Sequence, residues 1–253
     1  HKGGVKTRRK EKYAPTLYLK TNKKTPYKSI NDIYLEPYSF DTMKEASNFI
    51  YKNQEVYGMT NFCIDWIGNT YTEKEISFIP EKIKTLIIDI ETESENGWPQ
   101  LKKPEERINL IGCKILYDEI KHVFLFRKYE TKENEEVHFF ENEEKMLLGF
   151  IEWFRKISPD IVTGWNSNAF DIPYIVNRIT YLIDKEDITK DTTFKTARKL
   201  SLFNKIKRKE YTFMQKVHES YSFAGFSCID YLEIYKKFIL KPRENYKLNT
   251  IAE

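Results

Sequence analysis

The sequence has no stretch suited to crossing a membrane. No apolar run approaches the roughly 20 residues that a bilayer-spanning helix needs, and no leader of basic then apolar residues opens the chain. Charged residues make up 32% of the composition against 40% hydrophobic, which also argues against a membrane protein. Cysteine is scarce. Cys63, Cys113 and Cys228 stand alone, odd in number and never in a paired spacing, so no disulfide framework is in view and the pattern suits reduced thiols in a cytoplasmic protein. The four histidines, His1, His122, His138 and His218, are scattered as well, which speaks against a zinc site. Internal repeats and low-complexity segments are missing too.

What remains is a chain of 253 residues, long enough for one large domain or two smaller ones with packed cores. Its net charge of +4 is unevenly placed. Residues 1–12 hold six basic side chains and one acid, and residues 195–209 hold seven basic side chains and no acid, on a body that is otherwise net acidic. Such stretches suit a polyanionic partner, and they read equally well as solvated faces. The chain opens on His1 rather than methionine, in what reads as the middle of a hairpin, and ends inside a helical pattern with no stop signal. It is expected to be a piece of something longer.

Two regions are expected, 1–82 and 83–253, punctuated by Pro80. The first reads as a small α+β domain. It has strand-like runs at Thr16–Leu19, Asn61–Ile67 and Glu75–Ile79, and one helix N-capped by Asp41 with an apolar stripe of Met43, Ala46, Phe49 and Ile50. In the second, Thr85–Ile90 reads as a central strand, with Arg107–Tyr117 and Lys121–Phe126 as two more joined at Asp118-Glu119. Glu141–Ile157 is an amphipathic helix with Leu147, Phe150, Ile151 and Phe154 on one face, stopped by Pro159. A short strand at Asp160–Thr163 leads through Gly164-Trp-Asn into a helix that Asp171 can N-cap. Beyond it come a basic helical segment at 195–208, a hairpin at 210–223, and a strand-to-helix turn at Ile229-Asp230 that starts a helix over Tyr231–Ile239. Strands interleaved with helices make an α/β domain with a mixed sheet, a layout that collects functional groups at strand ends and helix starts.

Side chains at i and i+2 of a strand share a face, so Asp89 and Glu91 present two carboxylates side by side at the end of an apolar strand. Two like charges in such a setting are costly unless compensated, and a divalent cation is the usual compensation. Hard oxygen donors select Mg²⁺ or Mn²⁺ over zinc. The spacing alone is weak, since Asp184 and Glu186 repeat it in a polar run. A structural cap or a salt bridge explains Asp89 and Glu91 as readily. Asp171, after a glycine-containing turn with two asparagines, adds a third acid that could complete a site for one or two metals, and an N-cap role is compatible with that.

These residues resemble a known family. Asp89-Ile-Glu91 looks like the first exonuclease motif of family B DNA polymerases, and Asn166-x-x-x-Phe170-Asp171 looks like the second. The resemblance to the replicative polymerases of large tailed bacteriophages runs collinearly through Tyr13-Ala-Pro-Thr16, Tyr57-Gly-Met-Thr-Asn-Phe62, Val162-Thr-Gly-Trp-Asn166, Asn177-Arg178 and the segment Ile229–Phe238. It implies a ribonuclease H-like 3′→5′ exonuclease domain behind a small N-terminal domain. Asp89, Glu91 and Asp171 would hold two Mg²⁺ or Mn²⁺ ions, while Asn166 and Phe170 would position the terminal nucleotide. Trp98, in an aromatic-Pro pair with Pro99, would stack on the unpaired strand. A hairpin near Tyr211–Phe223, with its tip at Gln215-Lys216-Val217, would help to separate primer from template. The basic run nominates Lys205, Lys207 and Arg208 as DNA contacts.

The implied partners are single-stranded or primer-template DNA, the rest of the polymerase in cis or as a split chain, and a sliding clamp reached through parts beyond this sequence. The implied location is the host cytoplasm. The family's third exonuclease motif is expected beyond Glu253, which would leave the fragment weak or inactive alone. The alternative reading is a non-catalytic module that binds single-stranded DNA or RNA and keeps the fold.

Overall fold

The computed structural model describes residues 11–72, 79–95, 97–190, 192–213, 216–239, 241 and 243–251, and only the backbone of 211–213 and 216–218. The chain divides into two units, His1–Phe78 and Ile79–Glu253.

In the first unit, strands β1 (Thr16–Lys20) and β2 (Leu35–Ser39) pair antiparallel with Leu17 opposite Tyr38. Helix α1 (Met43–Lys52) is capped by Thr42 rather than Asp41; the Thr42 hydroxyl accepts the Glu45 amide at 3.2 Å. The expected strand at Asn61–Ile67 is instead helix α2 (Phe62–Thr70). The Asn61 side chain accepts the Ile64 amide at 3.3 Å and caps the helix. Leu17, Ala46 and Phe62 form a small core with Tyr13, Phe40, Phe49, Ile50 and Val56 around it. The expected strand at Glu75–Ile79 lies, but for Ile79, outside the described residues.

The second unit is built on a six-stranded mixed sheet. Its strands in chain order are β3 (Thr85–Thr92), β4 (Ile108–Ile115), β5 (Lys121–Leu125), β6 (Glu135–Phe139), β7 (Ile161–Thr163) and, after a separate hairpin, β10 (Ser227–Cys228). The spatial order is β10-β7-β3-β4-β5-β6; β4 runs antiparallel to both of its neighbours and the other pairings are parallel. This is the mixed sheet expected from the sequence, with β6 as an unanticipated edge strand.

Helix α3 (Glu143–Ile157) buries Met146, Leu147, Phe150, Ile151 and Phe154, the stripe its periodicity indicates. Asn142 caps it and Ser158 ends it in a left-handed conformation, just before Pro159. Helix α4 (Asp171–Ile179) is buried at every position, because β3 and the hairpin strand β9 (Lys216–Phe223) both pack against it. Strand β9 pairs antiparallel with β8 (Ile206–Phe213), and their two-residue connection, 214–215, lies outside the described residues. Lys216 and Val217, expected in the hairpin tip, belong to β9. The expected basic helix at 195–208 shrinks to a single 3-10 turn over Ala197–Leu200. There the Ser201 hydroxyl takes the amides of Phe203 and Lys205 and turns the chain into β8. Helix α5 (Tyr231–Phe238) follows β10, and a short turn, α6 (Leu248–Ile251), closes the described chain.

A buried ion pair ties these layers together. The Arg178 guanidinium on α4 grips both oxygens of Glu143 at the start of α3, at 2.8 and 2.6 Å, and donates to the carbonyls of Pro104 and Glu105. Glu143 also accepts the amide of Ile108, the first residue of β4, at 2.9 Å. Every partner is satisfied, so removing one leaves a charge stranded in the core. Arg178→Leu should therefore destabilise the second unit by about 3–5 kcal/mol in urea unfolding, while adding Glu143→Leu recovers part of that loss.

Candidate active site

Strand β3 has two unlike faces. Leu86, Ile88 and Ile90 point into the core, whereas Ile87, Asp89 and Glu91 stand on the opposite, solvent-open face. The two acids thus share a face as their i, i+2 spacing requires, but that face is open and not the apolar interior. Strand β4 pairs with β3 along its length, with a register shift between Glu91 and Thr92. Strand β7 pairs only with Thr85–Ile87 and then stops. Past that point one edge of β3 is free.

Gly164 turns the chain against this free edge. A Cβ there would fall 2.4 Å from the Ile88 carbonyl oxygen, so no other residue fits without moving β3. The loop that follows is shaped by Asn166 in a left-handed conformation (φ +63°) and clamped from outside by Asp230. One oxygen of Asp230 accepts the amides of Asn166 (3.0 Å) and Leu232 (2.9 Å); the other accepts Asn168 (3.0 Å). The Gly164 carbonyl in turn accepts the Tyr231 amide at 2.9 Å. A buried carboxylate, 3% exposed, therefore serves as N-cap of α5 and as staple of this loop at once. The strand-to-helix turn was legible at Ile229-Asp230, but nothing in the linear sequence connects Asp230 to residues about sixty positions earlier.

The loop delivers Asp171. It is the first residue of α4, with Phe170 at the N-cap position, so the expected capping role does not hold. Its carboxylate turns to β3 instead and accepts the Ile90 amide at 3.1 Å. Burial is the main reason its pKa climbs from the ordinary carboxylate range to about 7; the charge of Asp89 adds to it, Asp230 adds a little more, and the Ile90 amide pulls the other way. No basic side chain figures among these influences. Loss of hydration also raises Asp89.

Asp89 and Asp171 are therefore electrostatic neighbours, with Glu91 beyond Asp89 on the same strand face. Their oxygens suit a hard divalent cation, and the Asp89–Asp171 repulsion is what such a cation would relieve. The three carboxylates do not all lie within 4.8 Å of one another, as a single-ion cage would need.

The remaining nominated residues are distributed around this loop and beyond it. Asn166 is exposed; Phe170 is half-buried and stacks on Tyr174, with ring centres 5.3 Å apart. Trp98 is 83% exposed, carried on a turn that Gly97 enters at φ +113° and anchored by the buried Pro99. Lys205, just before β8, and Lys207, within it, are exposed. Arg208 is half-buried, paired with Glu210 at 2.7 Å and bonded to the Ile188 carbonyl, which leaves the two lysines as the freer cations of the run.

The chain matches the family model described as DNA polymerase family B, exonuclease domain, over residues 43–251. It is 27% identical to the DNA-directed DNA polymerase of Escherichia phage RB69 and 26% identical to that of Enterobacteria phage T4, each alignment covering 99% of this chain and 30% of the phage protein. It is 33% identical to the DNA polymerase catalytic subunit of Alcelaphine herpesvirus 1, over 66% of this chain and 16% of the viral protein. The chain thus spans about 30% of the length of the phage relatives it matches.

The strain at Asp171 has a measurable consequence. A carboxyl that titrates near 7 when folded but near 3.8 when unfolded holds its proton more tightly in the folded state. It therefore costs nothing at low pH and destabilises progressively as pH rises from about 4 to about 7. Asp171→Asn keeps the acceptor for Ile90 and removes the charge. In metal-free buffer it should raise the Tm of the second unit above about pH 7 and leave it nearly unchanged near about pH 4. An equal shift at both values contradicts the electrostatic account.

Proposed function

We propose that this chain, which belongs to the exonuclease domains of family B DNA polymerases, is the proofreading portion of a phage-type replicative DNA polymerase. Its second unit is then a ribonuclease H-like nuclease that removes mispaired nucleotides from DNA 3′ ends. The observation that carries this reading is the carboxylate set at the free edge of β3: a buried Asp171 fixed by Ile90 beside Asp89, with Glu91 on the same face. A purely binding module would not need an acid held at this electrostatic cost.

In this reading Asp89, Glu91 and Asp171 hold the divalent cations, Mg²⁺ or Mn²⁺, through hard oxygen donors. When bound, a pair of such ions supplies an activated water and neutralises charge on the departing 3′ oxygen. The rest falls to the protein's own side chains. Ile90 fixes the orientation of Asp171, and Asp230 fixes the loop that launches it. Phe170, backed by Tyr174, and the exposed Asn166 orient the terminal nucleotide. Trp98 offers an open ring face for an unstacked base, and Lys205 and Lys207 meet the phosphate backbone. The substrate is a single-stranded or primer-template 3′ end. The rest of the polymerase is supplied in cis or as a split chain, a sliding clamp engages other parts of it, and the work takes place in the host cytoplasm. Among the described residues no helix is long and apolar enough to cross a membrane.

Excision of a 3′-labelled oligonucleotide by a polymerase containing this chain tests the catalytic role. Asp89→Ala should slow it on the order of 10³-fold, the loss expected when several kcal/mol of metal-borne stabilisation is removed. Oligonucleotide affinity should hold or rise. Unaltered excision would sink the assignment. Charge reversal at Lys205 and Lys207 should instead weaken single-stranded DNA binding and flatten its log–log salt dependence by about 1.4, at roughly 0.7 for each phosphate no longer neutralised; an unchanged slope removes both lysines from the interface.

A further inference from the structure

Away from the carboxylates, the parallel pairing of β5 with β6 gathers two of the scattered histidines. His122 lies opposite Glu136 in the register and Phe124 opposite His138, so all four side chains fall on one face of the sheet. His122 Nδ1 and His138 Nε2 approach to 3.3 Å. Glu136 directs one oxygen at each ring, 3.7 Å from His122 Nδ1 and 3.4 Å from His138 Nε2. Both carboxylate contacts exceed the roughly 2.7–3.2 Å of an N–H···O hydrogen bond. The carboxylate therefore faces both rings at ion-pair distance without a hydrogen bond to either.

Two of these distances, 3.3 and 3.4 Å, match the edges of a coordination tetrahedron, and the 3.7 Å approach, which runs to the second oxygen of Glu136, is slightly longer. Zinc bonds of about 2.0–2.1 Å to nitrogen and 2.0–2.2 Å to carboxylate oxygen place neighbouring ligand atoms about 3.3–3.6 Å apart. The rings are held in this pose by packing. His138 lies flat on Phe124, with centroids 4.4 Å apart and planes 11° apart, and His122 rests on Trp153 of α3 at 4.8 Å. Among the described residues this is the one trio of potential ligand side chains whose donor atoms all lie within 4.8 Å of one another. It is graded from the core outward, with His122 nearly buried, His138 intermediate and Glu136 exposed, which leaves solvent access for an ion and for a fourth ligand.

We propose that His122, His138 and Glu136 form a site for a divalent transition metal of the Zn²⁺ class, separate from the carboxylate set, that pins the edge strand β6 to β5 and α3. Two imidazoles and one carboxylate favour Zn²⁺ or Co²⁺ and discriminate against Mg²⁺, the reverse of the preference at Asp89, Glu91 and Asp171. The scattered spacing that spoke against zinc is overridden because the register brings residues sixteen positions apart onto adjacent strands.

Co²⁺ titration of the folded chain in a Cys63→Ser background, followed by the visible absorption of tetrahedral cobalt and by Zn²⁺ competition, tests this. One equivalent should bind, excess Mg²⁺ should not displace it, and Asp89→Ala with Asp171→Ala should leave it intact. The exposed Glu136→Ala should weaken binding at least about tenfold and His138→Ala at least about 100-fold. If His138→Ala fails to fold, Glu136→Ala decides. Absence of the tetrahedral bands overturns the proposal, as do bands that survive Glu136→Ala unweakened or bands lost with the Asp89 and Asp171 substitutions.

Discussion

Strand β7 stops at Thr163 while β3 runs on, and the amide of Ile90 emerges on an edge with no strand to receive it. A buried amide left without an acceptor costs on the order of 1–3 kcal/mol. The chain meets this by turning at Gly164, hard against the Ile88 carbonyl, and returning a carboxylate to the vacant edge. Asp171 thereby becomes both a backbone acceptor and a buried charge beside Asp89. The hydrogen bond offsets part of the cost of its burial, and the remainder appears as a pKa near 7. A strand ending early is thus the structural origin of a buried acid that holds its proton well above the ordinary carboxylate range.

That arrangement holds only because α4 is fixed along its whole length. At its start Asp171 is bonded to β3; at its end Arg178 is locked to Glu143 and to the carbonyls of Pro104 and Glu105. Between them Asn177, fully buried, donates to the Leu101 carbonyl and accepts from the Tyr221 hydroxyl at 2.5 Å. Together these bonds reach β3, α3, β9 and the 101–105 segment, so the helix can neither slide nor rotate without breaking charged or buried bonds. Asp230 does the same for the loop before it. Precision at the carboxylates is a property of this wider polar framework.

Two unlike sets of donor atoms sit on one sheet. At the free edge of β3 the donors are carboxylate oxygens crowded enough to repel. Across β5 and β6 they are two imidazole nitrogens 3.3 Å apart, their rings oriented by aromatic packing, with one carboxylate at the surface. Hard and borderline ions partition between such sites by donor type and geometry.

Much of this was legible in the linear sequence, and the failures have definite causes. The period-3.6 stripe of α3 and the apolar run of β3 announced themselves, because burial of one face imposes a repeat on the residues. The carboxylates Asp89, Glu91 and Asp171 were also visible as acids where apolar elements begin and end. Helix α2 stands where a strand-like run was expected, and its start is set by one capping side chain, Asn61. The 195–208 run was misread because its charge pattern suits a helix while Ser201 diverts the backbone.

What the sequence alone determined, therefore, is which segments are apolar, which acids interrupt them, and the kinship those motifs carry. Which acid is buried, which caps, which loop Asp230 holds and which histidines meet were decided only by the register of the strands and the early end of β7. Those are contacts between residues far apart in the chain, and no local pattern encodes them.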